Sequence, residues 1–267
     1  MKTISIVALK GGVGKTISAA NMAHILATVH KKRVLLIDND KQGNASKLFN
    51  AHSYNAPSVA ELLTARDSGA IHRAVTHTRY ATLDMIPANM SLLKANLEVL
   101  LDPSRPQQTR FRTALRQVES FYDFCIIDNA PDINISTINA LVASNDVMIP
   151  IKIDKFAFDG LAELAEQIEN TRAELNPALT FRGCFVTAFQ RNEVNYEGEQ
   201  WLRSQGTYPM FAAHIRRTEK VDESTFAGMP ILEYSRYCNA SRDYLALVEE
   251  YLQIVSETDA ERSTHNE

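Results

Sequence analysis

The run Gly11-Gly12-Val13-Gly14-Lys15-Thr16 nearly completes the phosphate-binding pattern G-x-x-x-x-G-K-[ST], except that Leu9 stands where the first glycine belongs. Glycines let backbone N–H groups converge on a polyphosphate at a helix N-terminus, where unpaired amides and the helix dipole favour an anion. Gly11, Gly12, Val13 and Gly14 would supply those amides, Lys15 a charge for the β- and γ-phosphates, and Thr16 a hydroxyl for Mg²⁺. Ile17 lacks a hydroxyl and can offer only its backbone N–H. Lys10 is a second lysine, five residues ahead of Lys15 and outside the pattern. It asks for an anion that Lys15 does not already serve.

Two further stretches end in carboxylates. In DFCIIDNAP the apolar run ends at Asp128, which places an acid at the C-terminal end of a buried strand, where P-loop enzymes hold Mg²⁺. In DNDKQGN, residues 38 to 44, extended geometry would put Asp38 and Asp40 on one side near the glycine loop, so that one positions a water or assists Mg²⁺. Spacing alone does not assign the two roles.

The elements that must hold these groups follow from hydrophobic period. Ile4 to Leu9 reads as a strand entering the loop, and Ser18 to Val29 as the helix leaving it. Further strands are predicted at 32 to 38, 83 to 87, 123 to 128, 146 to 152, 180 to 187 and 209 to 215, with helices at 91 to 101, 108 to 119, 156 to 175 and 240 to 254. This alternation predicts an α/β fold, a mostly parallel twisted sheet with helices on both faces. Residues 1–255 read as a single P-loop ATPase domain; 256–267 carry four acidic residues against one arginine without apolar period, and read as a disordered tail.

Composition sets few limits. A net charge of −4 and a pI near 6.0 give no bulk reason for nucleic-acid binding. Cys125, Cys184 and Cys238 lack C-x-x-C spacing and read as reduced thiols. The apolar start is broken by Lys10 and the glycines before any cleavage site, and no run approaches the roughly 20 apolar residues of a membrane span. The expectation is a cytoplasmic protein without a membrane role. The histidines show no metal-ligand spacing, and Trp201 reads as a packing residue.

Taken together, KGGVGKT, VLLIDNDKQGNAS, FYDFCIIDNAP and AGMPILEY resemble, in order from about Thr3 to Leu252, the motifs of the ParA/Soj/MinD group of deviant Walker-A ATPases. The resemblance implies an ATP-sandwich homodimer using ATP and Mg²⁺. In that family scheme Lys10 crosses to the partner subunit's nucleotide, Asp40 places the attacking water, and Thr16, Asp128 and Asp38 serve Mg²⁺. An acidic polar end rather than a basic amphipathic helix favours the ParA branch over the MinD branch, in the short form without an N-terminal helix-turn-helix.

IRRTEKVDEST is similar to that branch's IPRNVxxxEA segment, which makes Lys220, Arg191 and Arg217 the candidates for contacting nonspecific double-stranded DNA. Departures are Ala8-Leu9 before the signature lysine, Ile17, Lys41 after the paired aspartates, and Arg216 in place of proline. The implied function is a nucleoid-associated DNA-partitioning ATPase, stimulated by a ParB-like protein. The rival is a cargo-positioning or assembly switch that binds protein but no DNA. The two differ in whether the arginines and Lys220 cluster on one face.

Overall fold

A computed structural model of the protein describes residues 1–154 and 159–264. Seven strands lie within them: β1 (Lys2–Ile6), β2 (Val34–Asn39), β3 (Thr76–His77), β4 (Leu83–Ile86), β5 (Phe124–Asn129), β6 (Asp146–Lys152) and β7 (Thr180–Thr187). They form one sheet in the order β3-β4-β2-β5-β1-β6-β7, parallel throughout except for the short β3 against β4. From β1 the chain moves to one side through β2, and β5 then feeds β6 on the other side of β1. The loop after β1 therefore opens at the switch point of the sheet, where such folds bind ligands.

The helices are α1 (Lys15–Thr28), α2 (Asn44–Leu48), α3 (Ala60–Thr64), α4 (Ala70–Ala74), α5 (Ser91–Leu101), α6 (Arg110–Leu115), α7 (Ile135–Ala143), α8 (Asp159–Glu174), α9 (Glu193–Gln205), α10 (Glu219–Phe226), α11 (Ile231–Tyr234) and α12 (Asn239–Thr264). Alternation along the strands sends Val34, Leu36 and Ile126 to one face, against Met22, Ile25 and Leu26 of α1 and Tyr244, Leu247 and Tyr251 of α12. Leu35, Ile37, Cys125 and Ile127 face the other way, against α3, α5, α6 and α7. Both faces are covered, which is why β2 and β5 are buried along their whole length. Truncating a fully buried residue such as Leu36 to alanine would cost about 2–5 kcal/mol.

Three expectations need correction. The segment 209 to 215 is no strand: it touches β7 through an isolated bridge, Cys184 with Met210, and the backbone bonds Phe211 N–H to Cys184 O (2.8 Å) and Ile215 N–H to Val186 O (2.7 Å). Between them the Ala212 and Ala213 amides turn away to the Glu250 carboxylate, at 2.6 and 2.9 Å, which breaks the ladder. The first helix begins at Lys15, directly on the glycine loop, rather than at Ser18. The helix predicted to end at 254 continues through the supposed tail to Thr264; no Gly or Pro interrupts it, and the Thr258 hydroxyl bonds Ile254 O at 2.8 Å. Residues 156–158 of one predicted helix, and 265–267 of the tail, lie outside the described residues.

Candidate nucleotide site

Gly12 and Gly14 hold φ of 73° and 84°, the left-handed region that β-carbons disfavour, so the loop can turn its amides inward and start α1 without a side-chain cap. Space is not the constraint at Gly14, since an added β-carbon would meet Thr187 only at ordinary contact distance, 3.7 Å. Thr187, at the end of β7, pins the loop from beside it: its hydroxyl donates to Val13 O at 2.8 Å. Nothing in the sequence marks Thr187, because this contact spans 174 positions.

Lys15 is 7% exposed and its ammonium donates to Lys10 O at 3.1 Å. Burial lowers its pKa, opposed by the charges of Asp128, Asp40 and Asp132. Asp38 and Asp128 are directly opposite each other across β2 and β5, both at the C-terminal ends of their strands and both essentially without solvent contact. Asp38 is hydrogen-bonded: its Oδ2 accepts from the Ser46 N–H (2.8 Å) and hydroxyl (2.7 Å), and its Oδ1 from the Asp40 N–H (3.2 Å). Burial nevertheless pushes its pKa up to about 6. Among the described residues neither carboxylate oxygen of Asp128 makes a hydrogen bond of ordinary geometry, and the nearby Thr16 hydroxyl favours its charged form. Its burial, reinforced by the charge of Asp38, raises its pKa well above the usual carboxylate range.

Two facing buried carboxylates beside the Thr16 hydroxyl make a hard oxygen cradle whose negative charge the Lys15 ammonium only partly offsets. No group of three or more His, Cys, Asp or Glu side chains suited to a metal occurs among the described residues. A cation here would therefore complete its shell with phosphate oxygens and water, as Mg²⁺ does.

Above this pair opens a cleft of about 570 Å³ lined by Gly11, Gly12, Gly14, Lys15, Thr16 and Ile17 on one side and Asp40, Asn44 and Lys47 on the other. The Asp40 amide folds back on Asp38 and its Oδ1 accepts from Gln42 N–H at 3.0 Å, so the side chain stands at the rim, not in the cradle. The two aspartates thus have different surroundings. Lys10 stands partly exposed, ion-paired with Asp154 of the same chain.

The DNA candidates are partly brought together. The Phe189–Arg216 bridge and the Arg217 N–H bond to Phe189 O join the two loops beyond β7, so Arg191, Arg216 and Arg217 line one open cavity of about 700 Å³. Arg216 is tied to Asp243. Glu219 and Asp222 line the same cavity. Lys220 is exposed on α10, paired with Glu223 at 2.6 Å, and is not among the lining residues. No helix among the described residues is long and apolar enough to cross a membrane.

Residues 1–181 match the family model of an AAA domain. The chain is 32% identical over 256 residues to the chromosome partitioning protein ParA of Caulobacter vibrioides (strain NA1000 / CB15N), covering 94% of each. It is 31% identical over 250 residues to the sporulation initiation inhibitor protein Soj of Bacillus subtilis (strain 168), covering 93% of this chain and 97% of Soj. Among solved structures, cobyrinic acid a,c-diamide synthase from Mycobacterium smegmatis with bound ATP analog and magnesium superposes with a TM-score of 0.83 at 24% identity, covering 95% and 94% of the two chains. A putative plasmid partition protein from Borrelia burgdorferi B31 bound to AMPPNP gives 0.78 at 24%, covering 94% and 98%. The fold, the motif order and the length of the sequence match place this chain in the ParA/Soj family of the ParA/MinD superfamily of P-loop ATPases.

Proposed function

We propose that the protein is an ATP-dependent DNA-partitioning ATPase whose nucleotide cycle switches a homodimer on and off DNA. The observation that carries the ATPase part is the pair of buried carboxylates, Asp128 facing Asp38, with Lys15 and Thr16 of the glycine loop beside Asp128. Thr16 and Asp128, with Asp38 beside them, would hold Mg²⁺, which neutralises charge on the β- and γ-phosphate oxygens. The loop amides from Gly11 to Ile17 orient the phosphates, and Lys15 adds a buried ammonium whose depressed pKa rises again once an anion lies beside it. Asp40, at the cleft rim, is placed to orient a water towards the terminal phosphate.

Lys10 answers the question of the second lysine: it stands at the loop entrance, partly exposed, and reaches the nucleotide of a second subunit once it exchanges Asp154 for phosphate. The names of the relatives and the arginine-lined cavity beyond β7 support DNA as the surface that the dimer holds, with release stimulated by a ParB-like protein. The second reading, a protein-positioning switch without DNA, is favoured by Glu219 and Asp222 in that cavity and by the Lys220–Glu223 pair, which dilute its positive charge.

Co-sedimentation with nonspecific duplex DNA in ATP, ADP or no nucleotide separates the readings. DNA capture only with ATP supports partitioning. An ATP-dependent dimer that ignores DNA selects the positioning switch, and neither dimer nor DNA binding refutes both.

A further inference from the structure

Helix α5 is apolar on two faces: besides its core face it carries a second one turned to solvent. Leu92, Ala95 and Val99 are buried against the sheet. At about 100° per residue, Met90, Leu93, Leu97, Leu100 and Leu101 share an arc of about 100° on the opposite side. All five are exposed, from 47% at Leu93 to 82% at Leu101. Contiguous, they form a patch on the order of 500 Å², at the upper end of what a monomer exposes in one piece. Lys94 and Glu98 flank the stripe on one side, paired at 3.3 Å.

We infer that α5 is a self-association surface, on which the α5 of a second copy of this chain packs antiparallel across a two-fold axis. Stripe and flank are self-complementary about the same level of the helix. A two-fold beside position 96 sets Leu93 against Leu100 of the second copy, Met90 against Leu101, and Leu97 close to its own equivalent. The same operation keeps the charged flanks of both helices on one side and reverses their direction, so Lys94 of each copy meets Glu98 of the other. A hydrophobic seam and a charge pattern that share one symmetry element are what an isologous contact requires. One helix pair buries less than the roughly 800 Å² per partner of a standard interface, so the contact is weak. It lies on the sheet face opposite α1 and α12, and combined with the ATP-dependent dimer proposed above it would link dimers into open arrays. That extension rests on the proposed function, whereas the α5 contact itself needs no nucleotide.

Sedimentation velocity of the full chain without nucleotide, from about 1 μM to about 1 mM, tests it. The wild type should show reversible monomer–dimer exchange. Leu97→Glu should weaken it at least about tenfold, with unchanged thermal unfolding because that side chain is already exposed. Lys94→Glu and Glu98→Lys, which set like charges opposite each other, should each weaken it several-fold, and the double reversal should restore it. A wild type that stays monomeric throughout, a Leu97→Glu variant that associates normally, or a double reversal no better than the singles would overturn the inference. So would flotation of the wild type, but not Leu97→Glu, with anionic phospholipid vesicles, which would give the face to a lipid surface instead.

Discussion

Asp154→Asn is the most informative single change, because it should strengthen the ATP-bound dimer rather than weaken it. In the monomer Lys10 is held by Asp154, and the proposed cross-subunit contact requires that pair to open on both chains. Lys10 and Asp154 are 40% and 33% exposed, so the pair belongs with solvent-screened ion pairs worth about 0.5–1 kcal/mol. Two pairs open per dimer, so removing the competing carboxylate should favour association by about 1–2 kcal/mol, roughly 5- to 30-fold in dimer affinity. The assay is sedimentation equilibrium with ATP in an Asp40→Ala background, where slow hydrolysis preserves the nucleotide state. Raising salt should narrow the gap between the variant and its parent, since the lost pair is a screened one. Unchanged or weaker ATP-dependent association in the Asp154→Asn protein would refute the exchange of Asp154 for phosphate.

Asp128→Ala and Lys15→Ala should each abolish ATP turnover, read as phosphate release; near-normal rates in either would remove the residue from the site. Asp40→Ala alone should bind ATP and accumulate as dimer while hydrolysing at least about a hundredfold more slowly, whereas loss of ATP binding would make Asp40 structural. Arg217→Ala should lower affinity for all duplex sequences alike and reduce the salt slope by about one charge per subunit, measured by fluorescence anisotropy. A loss confined to one sequence would contradict a phosphate contact. His24, buried against Tyr80 with its Nδ1 unpartnered among the described residues, has its pKa lowered to about 4 by desolvation. The unfolded chain therefore takes up this proton first, and the folded state should lose stability as pH falls from about 6.5 towards 4, by about 2.5 kcal/mol at pH 4.5. Urea unfolding of His24→Leu should show a smaller drop between pH 7 and 4.5 than the wild type, and an equal drop would refute the assignment.

The readable parts of the chain were those where local pattern and tertiary role coincide. Strands β2 and β5 are continuous apolar runs because both sheet faces are covered, and α5 spans the predicted 91 to 101 because its buried residues keep a helical period. The glycine loop, Lys15 and Asp128 converge as their types imply. What the pattern missed depends on distant partners or on too few residues. Helices α2, α3 and α4 have five residues each, too short for a period to show. The segment 209 to 215 has strand composition, but Glu250, far along the chain, takes two of its amides. Ser46, Asp154 and Thr187 shape the site through contacts that no spacing announces, and the polar composition of 256–264 does not by itself end a helix that has nothing to stop it.

Ser46 also sets a direction. Fully buried, its hydroxyl has a single proton and spends it on Asp38, while its oxygen accepts the Ala88 N–H at 2.8 Å, just ahead of α5. The chain of bonds therefore runs one way, from the backbone entering the surface helix to the carboxylate beneath the nucleotide cleft. The Ala88 amide is thereby anchored, through one hydroxyl, to the charge on Asp38. Were a grip on α5 to shift that anchor and with it the affinity for nucleotide, nucleotide would change the grip by the same factor. The backbone just ahead of the outer helix and the inner acid, on different elements, share one buried hydroxyl.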